Sequence, residues 1–492
     1  MELLAQLGQG FVAAVTPAHL LMCLLGVVLG QVIGVLPGIG PSAAIALLLP
    51  LTYGSSPTAA IIMFAGIYYG AQYGGTLTSV LINVPGESSS VMTTLDGYQM
   101  ALQGRGGVAL GIAALGSFFA GVLGTAGLML LAPPLARMAL AFGPPEYCML
   151  VLLGLTALAA VGGSVLKGLA TGVAGLLLGT IGIDPQVGAP RFDFGQSWLL
   201  DGVDFIILAV ALFGVGEVLA SCRMGGADPI LNVGRVLPNR QEWRQAWAAV
   251  LRGSGIGFVI GCLPAAGATI ASFISYIIEK KVARDPSRFG KGAIEGVAGP
   301  ESANNAASAG AMVPMFALGV PGSNTTAVML AALIMFGLRP GPDMFTTNAA
   351  LVWAVIASMF IGNLILLLLN LPLASVFARL LQIRYCWIYP PILAICLTGV
   401  ISRANNVEDA WLMLAFGVVG WAMKRYDWSA APMILGLVLG PIFENSLRQS
   451  LTLSHGSSAI FVTRPISAVL LALAILAVSA PFWSRIFNAK TA

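Results

Sequence analysis

Charge is scarce in this chain of 492 residues: Asp, Glu, Lys and Arg together make up 9%, against 58% hydrophobic residues. Soluble domains carry about a quarter charged residues, so a soluble fold is excluded. Histidine is nearly absent, with His19 and His455 far apart in sequence, which removes the usual ligand spacing for a metal centre. The same shortage leaves a hydrolase without its commonest general base. The six cysteines form no CxxC pair, and most fall in apolar segments, where a buried thiol is the plain reading. No lysine or arginine precedes Arg105, so the basic start of a signal peptide is missing. No basic stripe interleaved with aromatics is present, and nucleic acid is not an expected partner. The sole Gly-Lys pair, Gly290-Lys291, is followed by glycine and lacks the upstream glycine of a phosphate-binding loop, so ATP hydrolysis is unsupported. The glycines of "GSGIGF" at Gly253 follow no strand and make a weak dinucleotide signal.

Long apolar runs fill the chain instead. Segments 107–133, 349–374 and 466–483 are of a length to cross a hydrocarbon core as helices, and the mean hydropathy is +0.90. The alternation of a membrane β-barrel is absent. The expected fold is an all-α polytopic membrane protein of roughly 10–12 membrane segments.

Proline and glycine interrupt these runs in a repeated way. "GVLPGIGPSAAIA" from Gly34 aligns with "GCLPAAGATIASF" from Gly261 at an offset of 227. "NVPGESSSV" from Asn83 matches "GVPGSNTTA" from Gly319 at an offset of 236, and "GVAG" at Gly172 matches "GVVG" at Gly417. Three matches in one order point to an internal duplication. The expected first repeat is 1–240, with a hairpin at 19–53 and a broken helix at 58–102. The second is 241–492, with a hairpin at 253–279, a broken helix at 300–338 and a C-terminal membrane helix at 466–487. The charged stretch Arg223 to Arg252 divides them, its Trp243 and Trp247 suited to a membrane interface.

Basic residues indicate orientation. The second hairpin is flanked by Arg223–Arg252 and by Lys280, Lys281, Arg284, Arg288 and Lys291, whereas 19–53 has no basic flank. The positive-inside rule then places the two hairpins on opposite sides, as in inverted repeats. A trace drawn this way puts 18 of the 24 lysines and arginines inside. A parallel repeat remains open.

Irregular backbone at membrane depth is tolerated where protein buries it or a cavity lines it. Each break therefore reads either as a packed kink or as part of a binding site. Paired breaks in two halves point to a transporter's central site, because half-helix starts offer N–H groups to anions and half-helix ends offer carbonyls to cations. The expected substrate residues are Pro85, Gly86, Ser88, Ser89 and Ser90 in one half, with Pro321, Gly322, Ser323, Asn324, Thr325 and Thr326 in the other. Helix capping is the plain alternative for each hydroxyl. The expected hairpin-tip and cation residues are Pro37, Gly38, Gly40, Pro264, Gly267, Asn304 and Asn305. Ser302, Asn304, Asn305 and Ser308 fall at near-helical spacing, a polar face that wants a partner. Glu87, Asp96 and Glu301 lie near these motifs, and both capping and a functional role stay open for them. No catalytic residue and no cofactor beyond a coupling Na⁺ or H⁺ is expected.

At these motifs the chain resembles the large membrane subunit of tripartite tricarboxylate transporters, the TctA-like family. The residues that carry the resemblance are "GVLPGIGPSAAIALLLP", "YYGAQYGGTLTSVLINVPGESSSVMTTLDGYQMA", "FGKGAIEGVAGPESANNAASAGAMVP" and "LGVPGSNTTAVMLAALIMFGLRPGP". It extends from about Gly26 to Gly440. The resemblance implies a bacterial inner-membrane permease driven by an ion gradient, with Na⁺ the usual coupling ion. Its partners would be a small TctB-like membrane subunit and a periplasmic TctC-like solute-binding protein that delivers a carboxylate. Pro264-Ala265 departs from the family's Pro-Gly at the second hairpin tip, and alanine disfavours the left-handed backbone that glycine allows. A stand-alone carboxylate transporter, an anion channel and an integral-membrane enzyme are the competing readings. Saturable counterflow would set the transporter apart from a channel, and turnover in detergent would reveal an enzyme.

Overall fold

The computed structural model describes residues 2–35, 40–52, 54–161, 164–184, 187–221, 234–264, 267–380, 390–391, 393–394, 396–398, 400–401 and 407–488. The helices in chain order are α1 (Glu2–Ala14), α2 (Pro17–Gly34), α3 (Pro41–Leu48), α4 (Pro57–Ile82), α5 (Val91–Leu102) and α6 (Gly106–Ala139). Then come α7 (Pro144–Val161), α8 (Val165–Leu178), α9 (Phe205–Ala209), which runs through a π-helical stretch Val210–Val215 into α10 (Gly216–Ser221), and α11 (Arg240–Gly261). The chain continues with α12 (Gly267–Val282), α13 (Glu295–Leu318), α14 (Asn324–Met335) and α15 (Ala349–Leu380). It ends with α16 (Val407–Arg425), α17 (Ala431–Leu453), α18 (Ile460–Thr463) and α19 (Pro465–Asn488). Strand content among the described residues is one short antiparallel pair, Gly182–Ile183 with Pro190–Arg191. Among the described residues, helices Pro17–Gly34, Gly106–Ala139 and Ala349–Leu373 are long and apolar enough to cross a membrane, and six further apolar helices are shorter. The fold is that of an all-α membrane protein.

The chain divides into two compact units. One comprises 1–136 and 221–394, the other 137–220 and 395–492, so each unit draws on both sequence halves. In the first unit the order helix pair, long helix, break, short helix, long apolar helix occurs twice, as α2 to α6 and as α11 to α15. The charged stretch expected as a linker is partly helix: α11 starts at Arg240, capped by Asn239, whose side chain accepts from the Glu242 N–H at 2.8 Å. The basic residues Arg240, Arg244 and Arg252 thus lie on the hairpin's first arm, because the Asn239–Glu242 capping box begins a helix there. Residues 222–233 of that stretch lie outside the described ones. On α11, Trp243 and Trp247 pack with each other, and both pack with Phe119 of α6.

The two long helices α4 and α13 form the core of this unit, and nearly every residue of each is buried. Each is flanked by a helix of the preceding hairpin that carries glycine every fourth residue. A Cβ added at Gly26, Gly30 or Gly34 would lie 2.1–2.5 Å from the carbonyl oxygens of Met63, Ile67 and Ala71. At Gly253, Gly257 or Gly261 it would lie 2.1–2.4 Å from those of Gly299, Ala303 and Ala307. Small residues one turn apart let two backbones touch, and that contact holds each hairpin arm on its long helix. The equivalence follows the sequence offset: Gly34 and Gly261 occupy the same place in the two stripes.

In the second unit α17 packs between α7 and α8, and α16 packs on the π-helical turn. A Cβ at Gly175, in the first GVxG motif, would lie 1.9 Å from the Met433 carbonyl. At Gly420, in the second motif, it would lie 2.8 Å from that of Leu212. Arg191 and Arg448 bridge Asp184 and Glu444 at 2.6–3.4 Å, and Arg464 pairs with Glu146 at 2.7 Å.

Candidate functional site

The two breaks are built alike. Helix α4 ends at Asn83 (φ 56°) and α13 at Gly319 (φ 70°), both left-handed. A Val-Pro-Gly follows each. The left-handed residue ends each helix, and the proline two residues further on offers no N–H with which to resume it. The helix then restarts with a capping box, Glu87 with Ser90 in the first half and Ser323 with Thr326 in the second. All these pairs stand 236 residues apart.

Packing at Gly86 and Gly322 repeats as well. A Cβ at Gly86 would lie 2.5 Å from the Gly75 Cα, and one at Gly322 2.6 Å from the Ala311 Cα, again 236 residues on. Pro85 is half-buried and Pro321 is buried.

The caps use several of the expected substrate residues. Ser90 Oγ donates to the Glu87 carbonyl at 2.9 Å and accepts from Ser79 Oγ at 2.9 Å. Ser323 Oγ accepts from the Thr326 N–H at 3.2 Å, and Thr326 Oγ1 accepts from the Ser323 N–H at 2.8 Å. Ser89 Oγ donates to Glu87 Oε1. Thr325 is buried. The side chains that stay exposed are Ser88 and Asn324, which occupy equivalent positions just after the two caps.

Contacts cross between the halves: α12 packs on Ser88–Ser90 at the first break, and α3 packs on α14, the helix that follows the second. Ser88 Oγ lies 2.8 Å from Thr269 Oγ1 on α12. Gly267 opens α12 with φ 60°, and a Cβ there would lie 3.5 Å from the Ser323 side chain. A hydrogen bond of 3.0 Å joins Tyr68 on α4 to Ser323 Oγ. Of the expected tip residues, Pro264 lies half-buried in the turn before α12 and Gly40 caps α3. Pro37 and Gly38 lie outside the described residues, as does Ala265.

Asn304 and Asn305 belong to a separate polar network, one whose partners come from α4, α5, α6 and α13. Asn304 Nδ2 donates to Glu301 Oε2 at 3.3 Å, and Asn305 Nδ2 donates to Asn304 Oδ1 at 2.6 Å and to Ser117 Oγ at 2.7 Å. Glu301 also accepts from Thr76 Oγ1 at 2.7 Å and from Thr93 Oγ1. The carboxylate is fully buried. Asp96, the third acid near the motifs, is tied down by the N–H groups of Gly290, Gly292 and Ala293 and by the Tyr276 hydroxyl, at 2.8–2.9 Å. Those bonds make it an anchor for the loop between α12 and α13.

Tyr68, Gln72 and Thr76 were not singled out from the sequence, although their spacing of four on an otherwise apolar helix marks one polar stripe. Thr269 and Thr93 carry no such signal. Their partners lie about 180 or more residues away, and only the fold brings them together.

Two buried helices that each stop before a Val-Pro-Gly and restart from a capping box, inside an all-α membrane protein, form the kind of paired break found at a transporter's central site. Residues 20–435 match the tripartite tricarboxylate transporter TctA family, and the chain belongs to it. It is similar to an uncharacterised 52.8 kDa protein in the TAR-I ttuC′ 3′ region of Agrobacterium vitis, with 46% identity over 482 residues, 97% of this chain and 96% of that one. A second protein of that organism, uncharacterised and in the TAR-II ttuC′ 3′ region, is 44% identical over 222 residues, 45% of this chain and 92% of its own length. No solved structure matches the chain.

Proposed function

We propose that this chain is the large permease subunit of a three-part, cation-driven uptake system for tricarboxylates or related carboxylates in the bacterial inner membrane. A small membrane subunit and a periplasmic solute-binding protein would complete the system. The observation that carries the reading is the matched pair of breaks. Each restarts its helix from a capping box and leaves one exposed polar side chain, Ser88 or Asn324, beside the first-turn N–H groups. Such a helix start attracts carboxylate through its dipole and free donors. A substrate with two or three carboxylates has a use for two of them. In this reading Ser88 and Asn324 contact the substrate. Ser89, Ser90, Ser323, Thr325 and Thr326 shape the two helix starts, and Pro85-Gly86 and Pro321-Gly322 keep the breaks open. Pro37, Gly38, Gly40, Pro264 and Gly267 are assigned to the cation side of the site, with the repeats inverted across the membrane. Asn304 and Asn305 belong to the cation side of the site.

Uptake of labelled citrate into membrane vesicles that contain all three components tests this. Asn324→Ala and Ser88→Ala are expected to lower uptake at least tenfold at equal protein level. Wild-type uptake in both would remove the breaks from the substrate site. Saturable counterflow is expected, whereas unsaturable flux would favour an anion channel.

A further inference from the structure

Among the described residues, Glu301 is an acid without a counter-charge. Its side chain is 0% exposed, two turns into α13, and every group that bonds its oxygens is neutral: Thr76 and Asn304 at Oε2, Thr93 at Oε1. Neighbouring acids differ. Glu279 of α12 is paired with Arg252 of α11 at 2.6 Å, and Asp96 of α5 holds three N–H groups and the Tyr276 hydroxyl. Glu295, at the start of α13, is paired with Arg288 at 2.9 Å. Glu87, at the first break, is bonded to Ser89 and to the helix start it caps, and Asp343 beside α13 is exposed. Tyr73 of α4 donates to the Leu110 carbonyl. No lysine, arginine or histidine lies on α4, α5 or α14, nor on α6 before Arg137.

A carboxylate taken out of water with no opposite charge is strongly disfavoured, so it takes up a proton or a metal cation. A second observation points the same way. Several buried polar atoms near it have no partner: both amide atoms of Gln72, one turn before Thr76 on α4, together with Ser302 Oγ and Asn305 Oδ1 on α13. Gln72 and Ser302 are 0% exposed and Asn305 1%. Carboxylate, hydroxyl and amide oxygens together are the ligand set of a hard cation.

We propose that the Glu301 carboxylate holds the coupling cation, Na⁺ or H⁺. Thr76, Thr93 and Asn304 fix the carboxylate, and Gln72 and Asn305 supply oxygens that have no other partner. This rests on the reading of the chain as a cation-driven permease and gives that cation its acidic ligand. Binding one positive charge neutralises the buried core next to the site. That lowers the cost of bringing in a polyanion, so cation and carboxylate would favour each other's binding.

The test uses the purified full-length chain in detergent, without any carboxylate, so its outcome is independent of whether citrate is transported. Binding of ²²Na⁺ is measured at pH 6 and 8, and the melting temperature is followed from pH 5 to 9 in sodium and in choline chloride. If the cation is Na⁺, the wild type binds it saturably, more tightly at pH 8, and Glu301→Gln weakens binding at least tenfold. If it is H⁺, ²²Na⁺ does not bind, the wild-type melting temperature changes with pH, and Glu301→Gln flattens that change. The proposal is overturned if Glu301→Gln keeps the wild-type sodium affinity or pH profile, or if the wild type shows neither response. Should Glu301→Gln fail to fold, Glu301→Asp must shift the sodium affinity or the pH midpoint, and an unchanged value overturns the proposal equally.

Discussion

The Tyr68 hydroxyl lies 3.0 Å from Ser323 Oγ, so the long helix of the first half is bonded to the residue that caps the helix after the second break. Residue 68 corresponds, at the offset of 236, to Asn304, so the two halves place different chemistry at one position. Removing the hydroxyl leaves Ser323 Oγ bonded to Thr326, and the break keeps its cap. Tyr68→Phe is therefore expected to fold and to lose about 1 kcal/mol. Ser323→Ala loses the cap as well, at a cost of about 1 kcal/mol more. Thermal unfolding of both single variants and the double variant checks this. A coupling energy near zero would show that the bond does not join the halves.

The glycine stripe on α11 gives a comparison within one helix. A Cβ at Gly257 would lie 2.1 Å from the Ala303 carbonyl, whereas at Gly255 nothing lies within 4 Å. Backbone cannot yield as a flexible side chain can, so Gly257→Ala is expected to cost about 1–3 kcal/mol through overpacking. Gly255→Ala is expected to be neutral, or stabilising by up to about 1 kcal/mol, because alanine is the better helix former. Equal melting temperatures for the two variants would contradict the close contact of α11 with α13.

Much of this arrangement is legible in the sequence because it is written as a repeat. The Val-Pro-Gly pairs mark where helices stop, since proline and glycine together follow a residue able to turn left-handed, Asn83 or Gly319, whereas Pro300 and Pro314 alone leave α13 continuous, and the polar residues that follow mark where the helices restart. The stripes Gly26, Gly30, Gly34 and Gly253, Gly257, Gly261 are equally visible once the offset is known. What the sequence hides is which hydroxyls are already used. Ser88, Ser89 and Ser90 are identical as letters, yet Ser90 completes a cap while Ser88 is exposed and meets Thr269 of α12. Likewise, the role of Glu301 cannot be read from its neighbours in sequence, because two of its partners, Thr76 and Thr93, stand more than 200 residues before it.

Arg252 and Glu279 tie the two arms of the second hairpin together through two hydrogen bonds, at 2.9 and 2.6 Å. The Glu279 side chain is 1% exposed and that of Arg252 41%, so loss of the arginine strands a charge that water does not reach. Arg252→Ala is expected to destabilise by up to about 3 kcal/mol, the lower end of the range for a broken buried pair, because the guanidinium is partly solvated. Arg252→Leu with Glu279→Leu is expected to recover most of that loss, since two apolar side chains leave no charge buried. Thermal melting of the single and double variants checks this, and a double variant worse than Arg252→Ala would contradict the desolvation account.

Acid should loosen the start of α11 through Glu242. Burial tends to raise its pKa, but the Asn239 N–H and the guanidiniums of Arg235 and Arg105 outweigh burial and hold the carboxyl below the usual range. The Asn239 N–H donates to Glu242 Oε2 at 2.7 Å, Arg235 lies 2.8 Å from the same oxygen, and Arg105 lies 3.5 Å from Oε1. A pKa lower in the folded than in the unfolded chain stabilises the fold above the unfolded value, about 4.3. That contribution is lost as pH falls through the folded value. Glu242→Gln keeps the shape but not the charge, so the wild type should melt higher than the variant by a constant margin from pH 5 to 7. The margin should then shrink toward zero as pH falls from 4 to 3. Melting curves of the pair across that range read the margin directly, and one that stayed constant down to pH 3 would show that the carboxylate charge does not hold the cap.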